Sequence, residues 1–176
     1  MALTIFEDVP LVQDINSLLL GEISEERAAT EDGLNENHSY VDLRRIGFED
    51  LRDALEFEET AFARLEAEHY ADHLIDELDE EWEAAYILPE VDLGLGSAAA
   101  AIAALGHVPI SSCRGRSSGD GHRHHNPCVL FYANTASTDM LIQIAKMIGI
   151  SVSNNLDMVE LYTGDIRLMK AFASCT

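Results

Sequence analysis

Apolar residues recur at helical spacing between Phe48 and Tyr86, a stretch without proline or glycine. Leu51, Leu55, Phe62 and Leu65 fall on one side of such a helix, and Ala67, Ala71, Leu74, Leu78 and Ala85 fall roughly opposite. The pattern predicts either a break near His69 or one long helix contacted on both sides, and the second arrangement leaves a face for self-association into a homo-oligomer. Pro89 ends the region. Upstream, Leu11 to Leu20 reads as a short apolar helix whose face Asp14 and Asn16 interrupt. Ser24 offers an N-cap oxygen to a turn at Ile23–Arg27, and residues 30–39, rich in Asn, Asp, Glu and Gly, read as a loop.

The pattern changes after Asp92. Gly94 and Gly96 lead into an Ala-rich helix from Ala98 to Leu105, with Ser97 as its N-cap and Gly106 as its stop. Val108 to Ser112 reads as a strand running into a polar loop, and Cys128 to Ala133 as a strand by its β-branched and aromatic content. Ser137 to Ile148 is a helix closed by Gly149. Ile150 to Ser153 and Met158 to Tyr162 are strands around Asn154 and Asn155, and Asp165 to Ala173 is a last helix capped by Thr163 or Asp165. The order α-β-β-α-β-β-α predicts an α+β fold with helices on one side of a mixed or antiparallel sheet.

Charge divides the chain at the same place. Of its 32 acidic and 11 basic residues, 26 acids and five bases precede Asp92, so the whole net charge of −21 resides in residues 1–91. Residues 92–176 carry six of each. We therefore read an acidic helical region, 1–91, followed by an α/β domain, 92–176. A surface of this sign repels nucleic-acid phosphates and argues against direct nucleic-acid binding, but it attracts basic proteins. The hydrophobic content of 47% is enough for a core, and no run of roughly 18 apolar residues predicts a membrane span. The first residues lack the basic flank of a signal peptide, and Cys113, Cys128 and Cys175 are not spaced as a disulfide scaffold, so a soluble, cytoplasmic protein is expected.

The residues richest in chemistry are Ser111-Ser112-Cys113-Arg114-Gly115-Arg116 and the His-rich stretch that follows, His122-Arg123-His124-His125. Hydroxyls, backbone N–H groups and guanidinium side chains around a turn-forming glycine suit a small anion or nucleotide-like ligand. Asp92, across a short helix, can face them. With a base such as His124, Cys113 is the candidate nucleophile. Cys113, His122, His124, His125 and Cys128 are also capable zinc ligands, but their spacing lacks the paired gaps of a structural site. His69, His73 and Asp76, near Glu66, share one face of a continuous helix and can chelate a divalent ion, yet match neither a metalloprotease nor a di-iron pattern. No metal and no cofactor is assigned on these grounds. Gly94-x-Gly96-x-x-Ala99 imitates a dinucleotide fingerprint, but no suitable strand precedes it, and the glycines read as a tight turn into the helix.

The succession of Asp92, a helix and Ser111-Ser112-Cys113-Arg114-Gly115-Arg116, followed by a strand, a helix and Gly149-Ile150-Ser151-Val152-Ser153, resembles the wybutosine-synthesis tRNA methyltransferase family. That family carries a Ser-Ser-Cys-Ser-Gly-Arg loop, and Arg114 stands here at the third serine. The resemblance spans about half the chain and implies an α/β fold with a pocket at Asp92, Ser112, Cys113 and Arg116, used in the family for methyl transfer from S-adenosylmethionine to a tricyclic tRNA base. Two functions are expected. One is a pocket for an anion or nucleotide-like ligand at residues 111–125, possessed of catalysis or not. The other is a non-enzymatic interaction or inhibitor protein that binds a basic partner through its acidic helices.

Overall fold

The computed structural model describes residues 9–21, 43–115 and 126–176. Five strands form one mixed sheet: β1 (Gln13–Asp14), β2 (Val108–Cys113), β3 (Cys128–Tyr132), β4 (Ser151–Asn155) and β5 (Met158–Tyr162). Their spatial order is β1-β4-β5-β3-β2, with β1 parallel to β4 and every other pair antiparallel. The helices are α1 (Phe48–Ala67), α2 (Asp72–Ala85), α3 (Gly96–Ala104), α4 (Thr135–Ile148) and α5 (Arg167–Ala173). The fold is thus α+β, and the part after Asp92 follows the order α-β-β-α-β-β-α.

Strand alternation decides where the helices lie. Val129, Phe131, Val152, Val159 and Leu161 point to one face and join a single core with Leu51, Leu65, Leu78, Trp82, Ile102, Leu141 and Phe172 of the helices. On the opposite face Ile110, Tyr132 and Met158 form a smaller cluster. The main core runs across the change of charge at Asp92: α1 packs on α3 and α5, and α3 packs in turn on the sheet.

The long region breaks at His69. Tyr70 N–H donates to the Leu65 carbonyl and His69 N–H to that of Glu66, while His69 adopts φ 51°. This is the Schellman ending of a helix, with histidine where glycine is usual. The two apolar sets therefore face one core. Ile75 and Trp82 are buried with Leu74 and Leu78, whereas Ala67 and Ala85 are exposed. The two-sided pattern consequently carries no argument for self-association.

Leu11 to Leu20 is not a helix. It contains β1 and a short 3-10 turn at Ser17–Leu19. Val152 N–H donates to the Val12 carbonyl, and Gln13 Nε2 donates to the carbonyls of Ala145 and Ile150, so partners about 140 residues away impose the strand. The expected turn near Ser24 and the loop at 30–39 lie outside the described residues. Among the described residues no helix is long and apolar enough to cross a membrane.

Candidate functional site

Strand β2 continues through Ser111 and Ser112 to Cys113, which pairs in register with Cys128 of β3. Ser111 and Ser112 are half-buried, and both cysteines are buried free thiols. Burial pushes the Cys128 thiol far up, and the nearby Glu160 carboxylate acts in the same direction. Its thiolate, the nucleophilic and metal-binding form, is accordingly disfavoured.

Beyond Cys113 the chain turns toward the acidic helices. Gly115 adopts φ 76°, as its role in a tight turn requires. Arg114 N–H donates to Asp92 Oδ2 at 3.2 Å, so Asp92 does meet this segment. Arg114 Nη1 donates to both carboxylate oxygens of Asp79, at 2.6 and 2.9 Å, and its Nε lies 3.8 Å from Asp92 Oδ1. The Arg114 and Asp79 side chains are only 13% and 16% exposed. Two carboxylates thus compensate this guanidinium, and it brings little net positive charge to an anion. Arg116, His122, His124 and His125 lie outside the described residues.

The remaining histidine of this part of the chain is structural. Buried His107 accepts a hydrogen bond from Asn134 N–H at Nδ1 and lies against Phe131. Burial lowers its pKa to about 4, so the ring is neutral at physiological pH. His69 occupies the turn after α1 while His73 and Asp76 belong to α2, so the continuous helical face on which a metal site was based does not exist. Among the described residues no group of three His, Cys, Asp or Glu side chains is placed to hold a metal ion.

Glu58 was not singled out from the sequence. It sits in the buried stripe Ala54, Glu58, Ala61, Leu65 of α1 and is 0% exposed. Its Oε1 accepts from the N–H groups of Gly94 and Ser97, and its Oε2 from the Ser97 hydroxyl at 2.5 Å. A carboxyl group from α1 thereby caps α3, and Ser97 lies inside that helix as a donor rather than before it as a cap. Close approach makes glycine necessary here: a Cβ at Gly96 would lie 2.4 Å from Trp82 Cζ2, and one at Gly94 2.7 Å from Ile166 Cδ1. Burial raises Glu58 to about 7, against the opposing effect of its hydrogen bonds. The signal was a single acid within an apolar helical stripe.

A second feature lies between α1 and α2. An open groove of about 280 Å³ is lined by Phe57, Ala61, Leu78 and Ile87, with Asp53, Glu56, Thr60, Arg64 and Glu81 around them. Arg64 bridges the helices through Glu77 at 2.6 Å and Glu81 at 2.7 Å. Phe57 also packs edge-on against Trp82, with ring centroids 5.2 Å apart.

No family model, no curated protein and no solved structure matches this chain.

Proposed function

We propose that this is a binding protein whose acidic helical layer receives a basic partner. The observation that carries the reading is the array on α2, where Asp72, Asp76, Glu77, Glu80, Glu81 and Glu83 are all at the surface. Between Leu43 and Val91 there are 16 acidic and four basic residues. Such a one-signed surface draws a cationic segment from a distance and orients it before contact. A fluorescent lysine decamer is the simplest probe. Its affinity, read by anisotropy, falls at least about tenfold between low and physiological salt as the Debye length shrinks to roughly 8 Å. Charge reversal by Glu80→Lys with Glu83→Lys weakens it by a similar factor at low salt. Unchanged binding by that double variant would reject this surface as the contact.

A second reading, a pocket for an anion or nucleotide-like ligand at residues 111–125, is favoured by one observation. The Asp92 contact tethers the start of this segment to the chain entering α3. The family resemblance assigns a pocket to the same place. Because Arg114 is compensated, Arg116 and the histidines at 122, 124 and 125 would have to supply the positive charge. Thermal-shift titration with nucleotides and S-adenosylmethionine tests it: stabilisation that Arg116→Ala abolishes supports the pocket, and no stabilisation by any of them removes it.

A further inference from the structure

We infer that the groove between α1 and α2 is the docking site of a cationic amphipathic helix. This rests on the acidic-layer reading and adds the kind of partner. The lining positions on α1 are Asp53, Glu56, Phe57, Thr60, Ala61 and Arg64, which follow helical spacing along one face. With a rise of about 1.5 Å per residue the groove extends roughly 17 Å, or three helical turns. Its floor is apolar, formed by Phe57, Ala61, Leu78 and Ile87, while Asp53, Glu56 and Glu81 stand at its rim.

Shape and charge point to the occupant. At about 280 Å³ the groove is partly open to solvent and runs beside α1, a shape suited to an elongated occupant. It accommodates a row of side chains rather than an enclosed ligand. A helix that presents apolar residues at intervals of three and four fills such a groove, as helical ligands do elsewhere. Asp53 pairs with Arg52, and Glu77 and Glu81 share Arg64, yet with Glu56 the carboxylates around the groove outnumber these cations, so the rim favours Lys or Arg beside that apolar row and repels carboxylates. The Arg64 bridge to Glu77 and Glu81 spans the two walls.

The test uses the full chain and three probes: an amphipathic Leu/Lys helical peptide, a scrambled peptide of the same composition, and the lysine decamer. Trp82 is the chain's single tryptophan and touches the groove residue Phe57, so its emission reports binding of these non-aromatic peptides. Thr60 is exposed on the lining, and Thr60→Phe fills the groove from the surface. Asp53→Asn with Glu56→Gln removes rim charge without adding volume. The amphipathic peptide is expected to bind at least about tenfold more tightly than its scrambled isomer, since only it aligns its apolar row with the floor. Thr60→Phe is expected to abolish that preference while leaving decamer binding intact, and the rim variant to weaken both peptides. Equal affinity for the two peptides, or a preference untouched by Thr60→Phe, overturns the groove proposal while decamer binding preserves the acidic-layer reading. Failure of all three probes to bind overturns both.

Discussion

Among the described residues Glu58 is the one acidic side chain that is fully buried. It is enclosed at the junction of α1 and α3, where protonation removes a buried charge but keeps its acceptor oxygens available. Its pKa is about 7 in the fold against an ordinary 4.5, so folding favours the protonated form. The resulting stability is fully present below the ordinary value and is lost as pH rises through 7. The loss amounts to about 3 kcal/mol at the upper end of the window. Glu58→Gln keeps an oxygen for Gly94 and Ser97 and can donate to the Ser97 hydroxyl. It is expected to flatten the decline in melting temperature between about pH 5 and 8, and to match or exceed the wild type at the alkaline end. Curves that stay parallel would mean that Glu58 titrates alike in both states. The sequence marked this residue only as an acid among Ala54, Ala61 and Leu65. Its partners, Gly94 and Ser97, lie 36 and 39 residues away, and no local pattern could supply them.

Among the elements, legibility followed the range of the forces that shape them. Strands β2 to β5, helices α4 and α5 and the end of α3 are bounded by local punctuation: Gly106 and Gly149 end helices at φ 83°, Asn134 caps α4, and Thr163 and Asp165 receive N–H groups at the turn into α5. Strand β1 has two residues and exists because β4 offers it an edge, so apolar periodicity misassigned it. The break between α1 and α2 was visible as a change of apolar face, yet no glycine or proline marked it. His69 fills the left-handed position that glycine would occupy without strain. That conformation costs a non-glycine residue about 1–2 kcal/mol. Glycine brings back roughly 0.5–1 kcal/mol as unfolded-state entropy. Since the exposed imidazole contributes little packing, His69→Gly is expected to stabilise the protein by up to about 1 kcal/mol in urea unfolding. A loss of stability would show that the His69 side chain holds the turn.

At the scale of the whole molecule, charge and core divide differently. Residues 43–91 carry 16 acids against four bases, and the hydrophobic core joins them to the rest of the chain, so the acidic helices form a layer that packs through α1 on α3 and α5 rather than a separate tail. Packing against the core holds the charge of α1 and α2 in place, and the groove along α1 gives it an apolar floor. The cluster that looked most chemical in the sequence, Ser111 to Gly115, is partly absorbed into β2 and partly neutralised by Asp79 and Asp92. Composition placed the acidic excess before Asp92, whereas the groove became apparent only once α2 had folded back on α1. The most direct test is backbone amide NMR on the isotope-labelled protein during titration with the amphipathic Leu/Lys peptide. The expected result is a set of saturable shifts at Asp53, Phe57, Thr60, Arg64, Glu81 and Ile87, with the amides from Asp92 to Gly115 largely still. Shifts confined to Asp92 and Ser111–Gly115, or none on α1 and α2, would contradict it.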